Sequence, residues 1–90
     1  MRTRCKVSDL AVITGEEPGL ETNIGRFAWV HEGPYLDGDY GPVFVIEPAG
    51  KEPLGCLCRD GSVSFSADRS YHPDAWMFPV LRAICKVPAS

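Results

Sequence analysis

No stretch of this 90-residue sequence approaches the ~18 consecutive apolar residues of a membrane span. The basic beginning, MRTRCKVSDL, lacks the apolar core of a secretory signal, so none is expected. Neither GxxxxGK[ST] nor GxGxxG occurs, which removes the usual nucleotide cradles. Histidine is scarce: His31 and His72 are the only two, and neither sits in a local signature of nucleophilic catalysis. A structural or surface role is expected of both, and with no convergent constellation of acids, bases and nucleophiles no enzyme activity is expected. Positive charge is scarce over half the chain. Residues 7–50 carry eight acids against the single cation Arg26.

What is present is the composition of a folded domain, with 44% apolar and 23% charged residues, a balance unlike that of disordered chains. A single domain of this size buries only roughly 60–65% of its unfolded surface, so its core must be small. Nine glycines and eight prolines spread along the chain imply many turns and short elements, which favours strands over helices. The expectation is one all-β domain over residues 1–90: a small, partly open barrel of five to six short strands, with one 3-10 turn before the last.

The strands are read as follows. Leu10–Ile13 is the first, and Gly15-Glu16-Glu17-Pro18-Gly19 carries turn chemistry. Arg26–His31 is the second, with Phe27 and Trp29 on one face and Ala28 and Val30 on the other. Glu32–Gly41 reads as a long, acidic, glycine-rich loop. Val43–Glu47, apolar and β-branched, reads as a central strand. Leu54–Arg59 and Ser62–Ser66 flank Asp60-Gly61, a pair suited to a type I′ hairpin. In the second of these strands, Val63 and Phe65 alternate with serines, predicting one buried and one wet face. His72-Pro73-Asp74 reads as a cap before a 3-10 turn, and Met77–Ile84 as a last strand held to an edge by Pro79.

The segment Ser8–Val30 resembles the KOW motif. Gly15 and Gly25 match its two glycines, Leu10, Val12 and Ile13 its first strand, and Phe27 and Val30 its second. The resemblance covers about a quarter of the chain and implies an SH3-like barrel. KOW loops that bind RNA are basic, whereas Glu16, Glu17 and Glu21 occupy this one, and phosphate binding rests on cations. The whole chain also resembles short bacterial proteins of phage-associated type, through Asn23-Ile24-Gly25-Arg26 and Asp74-Ala75-Trp76 with Pro79-Val80. That second resemblance implies no activity. Together they point to a bacterial protein, expected to be cytoplasmic and monomeric.

Four cysteines, Cys5, Cys56, Cys58 and Cys85, lack the spacing of a zinc site. Free, buried thiols are expected, with no metal and no cofactor. Asp37 and Asp39 lack the remaining ligands of a calcium loop and read as a solvated turn. Aromatic residues remain as binding candidates. Trp29 is expected to fill the core, and Tyr35 and Tyr40 to be exposed. Tyr35, Tyr40 and Trp76 would supply contact area to a protein partner, and Glu16, Glu17, Asp37 and Asp39 would steer a basic one. The alternative is nucleic-acid or ribosome association through Arg2, Arg4, Lys6, Arg82 and Lys86, brought together if the termini meet.

Overall fold

A computed structural model of the chain describes residues 2–57 and 60–81. Among them are seven strands: β1 (Leu10–Ile13), β2 (Phe27–Asp37), β3 (Gly41–Pro48), β4 (Leu54–Leu57), β5 (Val63–Ser66), β6 (Ser70–Pro73) and β7 (Met77–Leu81). Two single 3-10 turns, Glu21–Asn23 and Asp74–Trp76, are the only helical pieces described, and neither is long enough to cross a membrane. The all-β class is as expected. The strand count exceeds the expected five to six, because His72-Pro73 belongs to a strand of its own; a second 3-10 turn, also unexpected, lies in the β1–β2 loop.

The strands form two sheets, neither closed on itself: five in the order β6-β3-β2-β1-β7, and the two-stranded ribbon β4-β5. All described pairings are antiparallel. β7, which contains Pro79, lies at an edge and pairs with β1 alone, as the missing N–H of proline requires. β3 lies between β2 and β6, and Val43, Phe44, Val45 and Ile46 are all buried, so an uninterrupted apolar run marks a strand covered on both faces.

The core is built from Cys5, Ala11, Ile13, Ala28, Val30, Phe44, Ile46, Leu54 and Met77. β2 puts Ala28 and Val30 inward, as the alternation predicts, and Phe27 and Trp29 outward. Trp29 therefore does not fill the core: it is 40% exposed. Phe44, Met77, Ile13, Ile46 and Val30 fill the interior instead.

Further expectations are corrected. Residues 32–37 are strand rather than loop. β2 slips register against β3 between Val30 and Tyr35, around Gly33 and the cis peptide Gly33–Pro34. Gly33 holds a φ of 126°, and a Cβ there would lie 3.0 Å from Phe44 Cδ1 and 3.1 Å from the Val43 carbonyl. Only glycine fits such a bulge, which bends the strand and lets pairing resume at Tyr35. The β4–β5 hairpin does form, with Leu57 opposite Val63; residues 58 and 59, which precede Asp60-Gly61, lie outside the described residues. Gly61 is left-handed, and Asp60 accepts bonds from the amide and hydroxyl of Ser62. Val63 and Phe65 are not buried, at 42% and 65% exposed, because β5 is the outer strand of a two-stranded ribbon.

The N-terminal segment is tied down by polar contacts. Asp74, 6% exposed, accepts the Arg4 amide through Oδ2 and the Cys5 amide through Oδ1, both at 2.9 Å. Asp74→Ala is expected to cost about 2 kcal/mol in a urea unfolding curve, since two amides lose a charged acceptor, and to speed hydrogen exchange at Arg4 and Cys5. Cys5 is fully buried, and its thiol is pushed up to about 12, first by burial and then by the charges of Asp74 and Asp9. It is a core side chain. Cys56 is half-buried; Cys58 and Cys85 lie outside the described residues.

Candidate functional site

The β1–β2 loop is fastened across the molecule to the second 3-10 turn. The amides of Thr14 and Gly15 both donate to the Trp76 carbonyl, at 2.8 and 3.2 Å. The contact is close because residue 15 has no side chain: a Cβ there would lie 3.0 Å from Cδ1 and Cγ of the Trp76 indole. This packing carries Glu16 against β6, where Glu16 Oε2 lies 3.7 Å from His72 Nδ1.

The first 3-10 turn completes the arrangement. Asn23, 2% exposed, accepts the Gly55 amide through Oδ1 and donates through Nδ2 to the Gly55 carbonyl, each at 2.9 Å. The same Nδ2 donates to Glu16 Oε2 at 2.8 Å. One amide side chain thus joins the loop, the ribbon and the buried carboxylate.

Between these parts lies a cleft of about 650 Å³. Its floor and walls come from Val43 and Ile46 of β3, Leu54 and Gly55 of β4, and Leu20, Asn23, His72 and Trp76. Tyr35, Leu36, Asp37 and Tyr40, from the tip of the β2–β3 hairpin, line it from one side, and Glu16 and Glu17 from the loop. Tyr40 donates its hydroxyl to Glu17 Oε1 and meets the Trp76 ring edge to face at 5.3 Å. Trp76 meets His72 in the same way at 5.9 Å, and Tyr35 meets Tyr71 at 6.2 Å. Such edge-to-face pairs hold aromatic walls in place.

The floor is electrostatically unusual. The Glu16 side chain is 5% exposed, and burial raises its pKa against the lowering effect of its bonds from Asn23 and Glu17. His72, 5% exposed, is pushed down to about 4 by burial, with the backbone of Gly15 and Trp76 opposing only in part. Its Nε2 is buried with no hydrogen-bond partner. None of the described residues lining the cleft is lysine or arginine.

Six of the seven residues singled out in the sequence therefore surround one cleft: Glu16, Glu17, Tyr35, Asp37, Tyr40 and Trp76. Asp39 is not among its lining. Asp37 Oδ1 instead accepts the amides of Asp39 and Tyr40, closing the hairpin tip. Tyr35 and Tyr40 are 47% and 43% exposed, as expected of them. Glu16 is not the solvated loop acid the turn chemistry implies, since the contact with Trp76 draws it inward. His72 and Asn23 went unrecognised as site residues. Alternation in Ser70–Pro73 offers a faint signal for an inward His72, but nothing local marks Asn23, whose partner is 32 residues away. His31 is half-buried on β2 and is not among the residues lining the cleft.

The basic pole is partly engaged. The Arg4 guanidinium donates to the carbonyls of Asp74 and Ala75 and lies 5.9 Å from the Phe78 ring centre. Leu10 pairs with Leu81, the last described residue. Arg2 and Lys6 are exposed; Arg82 and Lys86 lie outside the described residues. No protein-family model, curated protein or solved structure matches this chain.

Proposed function

We propose that this chain is a non-enzymatic, SH3-like interaction module whose cleft receives an extended, positively charged segment of a partner protein. In this reading it acts as a monomer in a bacterial cytoplasm. The observation that carries it is the lining itself: aromatic side chains standing beside carboxylates, with no lysine or arginine among the described residues. Aromatic grooves suit extended segments, because Tyr and Trp offer rigid contact area at low entropic cost. Carboxylates at the same place favour a cationic occupant and steer its approach. They oppose a phosphate backbone, and Arg4 at the basic pole is already committed to β7 and the turn before it. Nucleic-acid binding is thus the less supported alternative.

Selection from a random peptide library displayed on phage tests the reading. Peptides of net positive charge are expected to be enriched, and Tyr40→Ala is expected to weaken their binding by about tenfold in fluorescence anisotropy, as for an aromatic anchor. Enriched peptides without a positive bias, or unchanged affinity in Tyr40→Ala, would show the reading to be wrong.

A further inference from the structure

We propose that the cleft floor is a seat for a guanidinium group, so that arginine rather than lysine is the side chain recognised; this rests on the reading of the cleft as a receptor for a cationic segment.

The first support is an unmet acceptor. Glu16 Oε2 stands 3.7 Å from His72 Nδ1, too far for a hydrogen bond, and the backbone of Gly15 and Trp76 also acts on the imidazole; in the proposed seat the proton lies on Nδ1, the nitrogen nearer the carboxylate. Nε2 then carries a bare lone pair, and that atom is buried without a partner. A buried acceptor left unmade is costly, so it favours an occupant that donates there.

The second support is charge. The Glu16 carboxylate is almost fully buried and is met by Asn23 and the Glu17 amide, neither of them a cation. Buried carboxylates are ordinarily paired with a positive group. Here the described lining of the cleft contains none. Glu17, bonded to Tyr40, adds a second carboxylate within the same lining.

The third support is shape. Tyr40 and Trp76 stand at 71° to one another, offering flat walls of different orientation beside these acceptors. A guanidinium is planar, stacks on aromatic faces, and carries five donors in a rigid fork that can serve several acceptors at once. It is also weakly hydrated, so stripping its water at a buried floor costs less than for an ammonium. An ammonium has only three donors, on a compact and strongly hydrated centre.

Three blocked tripeptides test the assignment: acetyl-Gly-Arg-Gly-amide, its lysine counterpart, and its counterpart bearing citrulline, the uncharged isostere of arginine. Titrations are followed by the backbone amide and imidazole nitrogen resonances of the whole protein. The arginine peptide is expected to bind about tenfold more tightly than the lysine peptide, with the citrulline peptide weaker still, and to move the His72 Nε2 resonance as an acceptor does. His72→Phe is expected to reduce arginine affinity about tenfold while leaving the lysine peptide unchanged. Glu16→Gln, which keeps the shape of the floor, is expected to weaken the arginine peptide likewise and serves if His72→Phe does not fold. Equal affinity for arginine and lysine, or full arginine affinity in either variant, overturns the guanidinium seat and leaves the cationic cleft standing. No binding of any tripeptide, while phage-selected basic peptides still bind, does the same. Failure of both overturns seat and cleft together.

Discussion

Replacing Asn23 with alanine is expected to destabilise the protein by about 4 kcal/mol, among the largest effects of any single polar substitution in the chain. The side chain makes three hydrogen bonds at once, to the amide and carbonyl of Gly55 and to the Glu16 carboxylate. Gly55 is buried, so its backbone groups would be stranded away from water. Each stranded group costs on the order of 1–3 kcal/mol, more where the partner is charged. Relaxation of the ribbon keeps the sum below the upper limit. The measurement is a chemical unfolding curve of Asn23→Ala against the wild type. A loss under about 1 kcal/mol would mean that water or another side chain replaces those bonds. Asn23→Asp tests the geometry separately: it keeps the acceptor for the Gly55 amide but sets a second carboxylate against Glu16.

The second large effect is a loss of stability in mild acid. His72 has a folded-state pKa of about 4, below the ordinary 6.5 of the unfolded chain, because burial disfavours its charged form. Between those values the unfolded chain binds more protons, so stability falls as the pH is lowered from about 6.5 towards 4. Each tenfold change in proton affinity is worth ~1.4 kcal/mol, so the complete loss is about 3 kcal/mol. Glu16 acts in the opposite sense. Its raised pKa means that the folded protein holds that proton more readily, so acidification towards the ordinary carboxylate range returns stability there. Unfolding free energies at pH 7 and pH 4 for wild type and His72→Phe isolate the histidine. The wild type is expected to lose about 3 kcal/mol more than the variant over this interval. Parallel pH profiles for the two proteins would show that His72 is hydrated or already charged in the folded state.

The legible parts of this molecule are the local ones. Alternation on β2 places Ala28 and Val30 inward, the apolar run on β3 marks a strand buried on both faces, and Pro79 marks an edge. Each is a short-range pattern with a direct structural consequence. Six of the seven residues that the sequence singles out line the cleft, because aromatics and acids set in glycine-rich segments tend to gather at loop tips. The illegible parts are long-range. Trp29 looks like a core residue by size, but which face of β2 meets the interior is decided by Ala11 and Ile13 on the neighbouring strand. Val63 and Phe65 alternate as a half-buried strand should, yet among the described residues nothing buries them. Glu16 looks like a solvated turn acid until the bare backbone at Gly15 lets Trp76 close over the loop. Asn23 carries no local mark and His72 only a faint one, since their roles come from partners that only the folded chain brings near.

The two remaining open glycines have a practical meaning. Gly38 and Gly50 adopt no left-handed φ, and an added Cβ at either meets nothing within 4 Å. They contrast with Gly33, where backbone and space both forbid a side chain. Gly38 lies at the tip of the β2–β3 hairpin, between the cleft residues Asp37 and Tyr40; Gly50 follows the far end of β3, away from the cleft. The fold thus carries its own pair of attachment points. A spectroscopic side chain at 38 would sit at the mouth of the cleft and report an arriving partner, and the same label at 50 would report only the tumbling of the whole domain.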